Sequence, residues 1–508
     1  MPTPAESRSQ VDAGEVDAAQ VGKAAATPFR VPSNNDTNQG IHRSSPSAPD
    51  CLKQIDAATR IVACNQGDHP LVSEFLSRVQ QISLQADFQS RLDYPNYQAS
   101  DRLIVKKSQE IVAHLRVSHK AGWFAGERLP IVDFTELETF PEFANSGYCQ
   151  ELLETAEQLA TAEGAVVAFL RSNQQEQLGR QGWTRLRNQG HTRANTRSVL
   201  SHLEAQEVTQ RRRKPRLEVA SWRHFQLDSI RHLYEKVAAQ GWGTLGRSEA
   251  HWQWLANRKA HDHILVVYDH RLGKPAGKSS RFDSPSHSVS VDDSSAVAVD
   301  SEDGVDKTVG YAVLRDSCIV ELFTLPGYES ASALLLRRAC QDAIDRDHRF
   351  VAVHTSPSDP LHELLVTAGG EWIRDATTPG GAWMAKLLSP QKWVEKHYAF
   401  FHAQARSAEV PRPVEIDFRL SEPQNDVLGL RLKLTRRSAR IEPIAEPSPN
   451  AIVATWQELQ DLLLLNRRWP DEISETLEAG TGGELAGTLK ALFPNQLFWR
   501  SPFESIML

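Results

Sequence analysis

The sequence predicts an α+β protein in three parts, with two tandem copies of one mixed-sheet unit followed by a third unit of different pattern. Three observations carry this expectation. The order helix, three strands, helix, strand, short helix occurs within residues 57–209 and again within 218–388. In each copy an apolar strand run ends in Thr-x-Pro (Thr139 to Pro141, Thr324 to Pro326) and leads through a short loop into an amphipathic helix. From residue 389 onward the order changes to helix, strands, helix, helix.

Residues 1–56 are rich in Ser, Pro, Asn, Asp and Ala and predict a disordered segment, because they hold too little apolar surface to offset their ordering entropy. Order is expected from Arg60–Ala63, a short strand, followed by a helix opening at His69-Pro70 with Val72, Phe75, Leu76 and Val79 on one face. "DRLIVKK" and "EIVAHLRVSH" read as antiparallel strands that turn at Ser108-Gln109, and "GERLPIVDFTELETF" as a third, long strand. A helix over 148–160, the buried strand "GAVVAFLRS" and a short helix closing on Gly182 complete the first copy.

The second copy repeats the series. "HFQLDSIRHLYEKVAAQ" is a helix, and "HILVVYD", "TVGYAVLRD" and "CIVELFTL" are strands. "SASALLLRRACQDAIDRD" is a helix with Leu335, Leu336, Ala339, Cys340 and Ala343 on its apolar face; "RFVAVHTS" is a strand, and "DPLHELLVTAGG" is the closing short helix. The basic run 210–217 reads as an exposed linker, and the Ser/Asp-rich stretch 275–307 as a disordered insertion between two strands. The third unit, 389–508, starts with the helix "KWVEKHYAFFHAQA", continues through "PVEIDFRLS" and "VLGLRLKLTRRSARIEPI" as strands, and ends with two helices and an aromatic tail.

Composition limits the function classes. The formal net charge is -7, which leaves no electrostatic footprint for a nucleic-acid partner. The five cysteines are scattered and odd in number, with no CxxC pair, which speaks for a reducing cytoplasm and against a disulfide scaffold or a zinc site. No run approaches the ~18 apolar residues of a membrane span, so a soluble, cytoplasmic protein without membrane partners is expected. The histidines are too dispersed for a metal cluster. Ser356, Asp359 and His362 have triad chemistry but stand too close in sequence, and Asp359-Pro360 reads more simply as a helix start.

The stretch "ETFPEFANSGYCQELLETAEQLA" (138–160) carries the functional signal. A helix start presents unpaired amides and the positive end of its dipole, and a loop of small residues lets those amides converge on an anion such as a phosphate. Asn145, Ser146 and Gly147 are small enough, and Tyr148 and Cys149 begin the helix. Upstream, Leu137, Glu138 and Thr139 end the strand; if it splays there, their backbone can pair with an amide-bearing ligand in the manner of an added strand. A pyrophosphate site beside such an edge describes coenzyme A.

On these residues the block 57–200 resembles a GNAT acetyltransferase domain, whose loop reads Arg/Gln-x-x-Gly-x-Gly/Ala. Gly147 matches the central glycine, while Ala144 stands at the basic position and Cys149 at the last one. The whole chain resembles the Eis-type (enhanced intracellular survival) acetyltransferases: two GNAT-like mixed-sheet domains followed by a sterol-carrier-protein-like α+β domain. The resemblance implies acetyl-CoA as cosubstrate, no metal, and direct attack of an amine on the thioester. It further implies a polycationic small molecule or a protein lysine as acceptor, and a homo-oligomer. In that family a tyrosine after the fifth strand is the acid and the terminal carboxylate the base. Here Leu178 stands in the tyrosine's place between the strand and Gly179/Gly182; the carboxylate of Leu508 is the candidate base, and Tyr148 is the other residue considered as acid. In the second copy Glu329 and Ser332 occupy loop positions where a basic group and a glycine would be needed, which implies a structural unit. Trp456, Leu459, Leu462, Leu463 and Trp469 are expected in a core and not in a lipid box. The alternative to an N-acetyltransferase is a catalytically weakened GNAT scaffold acting in ligand binding or assembly, favoured by Ala144 and Leu178.

Overall fold

The computed structural model describes residues 51–80, 85–186, 190–209, 217–223, 226–258, 261–270, 308–354, 359–374, 381–424, 427–466, 482–494, 496 and 498–504. The first stretch of chain forms β1 (Cys51–Gln54), β2 (Thr59–Ala63), α1 (His69–Gln80), α2 (Gln85–Leu92), β3 (Arg102–Lys107), β4 (Glu110–Phe124), β5 (Glu127–Thr139), α3 (Tyr148–Ala162), β6 (Val167–Ser172), α4 (Gln175–Arg180) and β7 (Thr184–Arg185). Then follow β8 (Gly190–Asn195), α5 (Thr196–Thr209), β9 (Leu217–Ser221), α6 (Leu227–Ala238), β10 (Trp242–Gly246), α7 (Glu249–Asn257), β11 (His263–Asp269), β12 (Thr308–Arg315), β13 (Cys318–Thr324), α8 (Glu329–Asp345), β14 (Phe350–Val353), α9 (Pro360–Thr367), β15 (Glu371–Arg374) and β16 (Ala382–Leu387). The last part contains α10 (Pro390–Lys396), α11 (Tyr398–Ser407), β17 (Val414–Gln424), β18 (Val427–Leu434), β19 (Ala439–Ile444), β20 (Ile452–Ala454), α12 (Trp456–Leu463) and α13 (Gly482–Leu492).

Two predicted segments need correction. Cys51–Gln54, inside the segment expected to be disordered, is a strand that pairs with β2, and the amides of Ile55 and Asp56 bond the Thr59 carbonyl in the turn between them; residues 1–50 of that segment lie outside the described residues. Leu217, expected in the linker, opens β9 and pairs with Asp269 of β11, while 210–216 lie outside the described residues. The insertion 275–307 also lies outside them. It falls between β11 and β12, which pair antiparallel from His263↔Leu314 to Tyr268↔Thr308. The single helix expected from 392 onward is two, broken at His397, whose imidazole is fully buried between Trp393 and Trp242 and bonds the Trp393 carbonyl at 2.8 Å.

The first sheet runs β1-β2-β3-β4-β5-β6-β16-β7, with β10 on the far end of β4, and the second runs β15-β8-β14-β13-β12-β11-β9. Each sheet therefore contains a strand from the other half of the chain. β16 pairs with β6 from Leu387↔Val167 to Ala382↔Ser172, and β8 pairs with β14 from Phe350↔Asn195 to Val353↔Thr192. The sequence boundary at 209/218 does not divide the strands: the two mixed-sheet units are interlocked by a reciprocal exchange. A chain truncated after residue 209 lacks β16, and the apolar strand Val167–Ser172 becomes an open edge. Such a chain is expected to be insoluble or to unfold without cooperativity, readable by circular dichroism during a urea titration; a cooperative, soluble fragment would count against the interlock.

The third sheet has the order β19-β18-β17-β20. Its apolar face is continuous with the first sheet, since Phe418, Leu430 and Leu432 share one core with Ile131, Phe169 and Leu387. Polar bonds fix the junction. Gln460 of α12 donates to the Gly182 carbonyl and accepts from the Leu387 amide at 2.7 Å, and Asn466 donates to the Arg185 carbonyl at 2.8 Å. Leu459, Leu462 and Leu463 are buried, as expected for a core; Trp456 is partly buried against it, and Trp469 lies outside the described residues.

Candidate functional site

The β5–β6 ladder begins at Ile131↔Val167 and ends at Phe134↔Leu170, although both strands continue. Beyond Phe134 the two strands separate, and the edge formed by Leu137, Glu138 and Thr139 is held only on the β4 side. A bulge sets the register there: His114 pairs with Glu138 but Arg116 pairs with Thr135, and Glu136 takes φ +56°. Strict alternation would turn Glu136 toward α3 and Leu137 away from it. The extra residue reverses this, so Leu137 packs against the α3-side core while Glu136 joins the opposite, charged face. Thr139 is fixed by its hydroxyl, which donates to the Val112 carbonyl at 3.0 Å.

After β5 the chain makes one turn of 3-10 helix over Pro141–Phe143, and the Ala144 and Ser146 amides bond back to the Pro141 and Phe143 carbonyls at 3.2 and 3.0 Å. The Ser146 amide is thus spent inside the loop. The Ser146 amide is therefore not among those that can converge on an anion in the way the reading of the loop from Asn145 to Cys149 expects. Gly147 caps α3 with φ +78°, a left-handed conformation suited to glycine, and no side chain caps the helix. The first helical bond is Glu151 N–H to the Gly147 carbonyl at 3.0 Å, so the amides of Tyr148, Cys149 and Gln150 have no acceptor within the helix. A Cβ on Gly147 would meet nothing within 4 Å, so the space beside this glycine is open. Lys107 stands beside the loop, with Nζ 4.9 Å from the Phe143 ring centroid.

The other predicted residues sort clearly. Asn145 and Ser146 are exposed on the loop. Tyr148, considered as an acid, is buried and packs in the α3-side core, its ring 6.0 Å from that of Phe143. Leu178 is buried in the same core. Cys149 is half-buried, and burial, with Glu138 adding to it, pushes its thiol up to about 11. Leu508 lies outside the described residues. The tail before it does reach the first sheet. Phe498 bridges to Trp242, and Arg500 Nη1 donates to both oxygens of Asp133 on β5, each at 2.7 Å. Gly243, at φ +89°, lets the Phe498 ring lie where a Cβ would collide.

Sequence reasoning missed the charged face of this sheet. The side chain of Glu136 is buried and ion-paired with Arg91 at 2.8 Å, with Arg102, and with Arg116 at 3.8 Å. Burial pushes its carboxyl up, but Arg102, Arg91, His114 and Arg116 outweigh that and hold it well below the usual carboxylate range. His114 goes the other way: burial, then Arg102, brings it down to about 4, so it is neutral at pH 7. Asp133, pushed up by burial, is held low by Arg500 and by Lys120, which donates to it at 2.9 Å. The signal lay in "HLRVSHK", where His114, Arg116, Ser118 and Lys120 alternate with Leu115, Val117 and His119 and so share one face of β4.

In the second unit the corresponding ladder is shorter, from Cys318↔Ala352 to Ile319↔Val353. Glu329 is in the first turn of α8, and the Ser332 and Thr324 hydroxyls bond each other at 3.2 Å. Phe323 of β13 packs on Trp499 of the tail at 5.2 Å, and Glu321 is consumed by Arg247 at 2.9 and 2.6 Å. Asp359 caps α9 by accepting from the Leu361 amide at 2.8 Å, and His362 bonds Thr192, not a serine; Ser356 lies outside the described residues. Among the described residues there is no group of His, Cys, Asp and Glu that could hold a metal, and no helix is long and apolar enough to cross a membrane.

No protein-family model and no curated protein matches the sequence. Solved structures do match in fold. A GCN5-related N-acetyltransferase from Anabaena variabilis aligns at 14% identity with a TM-score of 0.61, covering 87% of this chain and 99% of the other. One from Kribbella flavida aligns at 16% and 0.58, covering 87% and 97%. Eis1 from Mycobacterium abscessus aligns at 13% and 0.53, covering 86% and 96%. Over most of its length this chain shares its tandem mixed-sheet fold with the GCN5-related N-acetyltransferases.

Proposed function

We propose that the chain is an N-acetyltransferase of the Eis-like type that moves an acetyl group from acetyl-CoA to an amine. The observation that carries this is the parting of β5 from β6 after Phe134↔Leu170, followed directly by the open, glycine-capped start of α3. The pantetheine amides would pair along Leu137–Thr139, and the pyrophosphate would lie on the amides of Gly147, Tyr148, Cys149 and Gln150. Lys107 would supply the positive charge that Ala144 lacks. In the reaction the amine nitrogen bonds the acetyl carbon as the carbon–sulfur bond breaks; one proton leaves the nitrogen and one reaches the thiolate. Tyr148 and Leu178, both in the core, are poorly placed to deliver that proton. The anchoring of the tail by Arg500 on Asp133 is the feature that favours a role for the carboxylate of Leu508 as base. The third unit, read as sterol-carrier-like, would form a wall of the cleft, since its apolar residues are already buried.

The test is calorimetric titration of acetyl-CoA into the full chain, with Gly147→Asp and Gly147→Asn compared. Both side chains tolerate the left-handed conformation and are nearly equal in size, so the pair isolates charge at the helix start. Asp is expected to weaken binding by roughly tenfold or more relative to Asn. Equal affinities would show that the phosphates lie elsewhere. Absence of any acetyl-CoA binding would leave the scaffold reading in place of the enzyme.

A further inference from the structure

The sequence, at a net charge of -7, favours a cationic acceptor, but the buried lining of the first sheet has the opposite sign. On the face away from α3, Arg91, Arg102, Arg116, Lys120 and Arg500 are gathered around two carboxylates, Glu136 and Asp133. The four arginine side chains are at most 6% exposed. His114 is neutral and adds no countercharge. Asp101, which acts on Arg116 through space, is pushed up to about 6 by burial and accepts from the Gln98 amide at 2.9 Å. Uncompensated buried cations are costly, and a buried donor without an acceptor needs an explanation such as an ion.

Among the described residues, the Arg91 Nε, Arg102 Nη2, Arg116 Nε, and Arg500 Nε and Nη2 atoms are buried without a hydrogen-bond partner. The last two form one complete edge of a guanidinium, the edge that receives a carboxylate through two parallel bonds. Arg500 is held for this by Nη1 on Asp133 and by the Phe169 ring, whose centroid is 4.4 Å from its Cζ. Arg102 and Arg116 lie over aromatic rings, with the Phe88 centroid 4.8 Å from the first Cζ and those of Tyr94 and Tyr97 5.5 Å from the second. The cluster adjoins solvent at Thr135, which is exposed and lies opposite Arg116 across the ladder. It borders the parting of β5 and β6 from the side away from the α3 amides, where an acceptor would approach the thioester.

We propose that this face binds an anionic group of the acceptor itself, so that the substrate is an amine bearing a carboxylate and not a polycation. The inference rests on the N-acetyltransferase reading and deepens it. The guanidinium edge of Arg500 takes the carboxylate, and Arg91, Arg102 and Arg116 supply the surrounding positive field.

The experiment uses the full chain with acetyl-CoA, follows thiol release, and compares amines with and without the carboxylate: L-phenylalanine against phenethylamine, and L-lysine against cadaverine, with spermidine as the polycation. The expected result is at least a tenfold higher kcat/KM for the carboxylate-bearing member of each pair. Arg500→Lys, which keeps the charge but removes the fork, is expected to raise KM for that member several-fold and to leave KM for acetyl-CoA unchanged. A purely structural arginine would shift both members of a pair together. Equal or better turnover of cadaverine or spermidine overturns the proposal, and the unaltered chain decides this even if the variant does not fold. If no amine is turned over, thermal shift decides. Stabilisation by N-acetyl-L-phenylalanine but not by N-acetylphenethylamine upholds the anion site independently of catalysis; no difference between them overturns it. Calorimetry with acetyl-CoA separately reports on the enzyme reading.

Discussion

Glu136→Gln is expected to lower the stability of the protein by roughly 3–5 kcal/mol, measurable as a fall in the urea midpoint at pH 7. Three arginines, each almost wholly buried, share this one carboxylate, so its removal leaves three guanidinium charges in low dielectric with nothing to offset them. Gln is isosteric and keeps a carbonyl acceptor, so the loss reports charge and not volume. The effect should extend to the strand end proposed to pair with the cosubstrate. Glu136 is the residue at φ +56° that sets the register of Leu137–Thr139, and these ion pairs hold it in that conformation. A raised KM for acetyl-CoA should therefore accompany the loss of stability. A change below about 1 kcal/mol, the range of an exposed pair, would show that the arginines are hydrated and the cluster open.

Acid is expected to destabilise the protein well before Glu136 is neutralised. His114 and His397 are both fully buried, and burial brings each down to about 4 from an ordinary 6.5. In the unfolded chain each imidazole takes its proton near 6.5, and in the folded chain it resists until about 4. Between those values the unfolded state binds more protons, so stability falls as the pH drops through this window and is unaffected by these groups above it. Each shift corresponds to roughly 3 kcal/mol when fully expressed, and the two together to roughly 5 kcal/mol between pH 7 and 4.5. Glu136 does not add to this loss, because its depressed carboxyl remains charged across the window. Urea midpoints at pH 7 and 4.5 test it. His354, brought down to about 3 by burial, adds in the same direction, while Asp101, pushed up to about 6 by burial, opposes it. The share of one ring is therefore read from His114→Asn, which should reduce the loss by roughly 2 kcal/mol; an equal loss in the two proteins would mean that the fold does not hold the His114 ring neutral.

The elements of the first unit were legible because their patterns are local. β4 and β5 alternate, the turn sits at Ser108, which has φ +57°, and α3 begins directly after the Gly147 cap as its small-residue loop suggests. The loop was legible for the same reason, since a glycine after a strand and before an amphipathic helix is a short-range signal. The strands β8 and β16 were not assigned. β8 carries Thr, Arg and His among its few apolar residues, and its place between β14 and β15 depends on partners far away in sequence, such as Val353 for Thr192 on one side and Arg374 for Gly190 on the other. The break at His397 was hidden because nothing in "KWVEKHYAFFHAQA" interrupts a helical pattern; the aromatic residues that enclose the ring include Trp242 and Phe124 as well as Trp393 and Phe401 of the two flanking helices.

The site divides in the same way. The sequence by itself determined that a strand end, a small loop and a helix start follow one another at 137–149, because backbone propensity and glycine act over a few residues. Only the tertiary structure decided that Glu136 turns away from α3 through a bulge, that five cations close on two carboxylates, and that the tail delivers Arg500 to Asp133 across 367 positions of sequence. Such charges are placed by desolvation and Coulomb energy, which depend on what is packed around them and not on what precedes them in the chain.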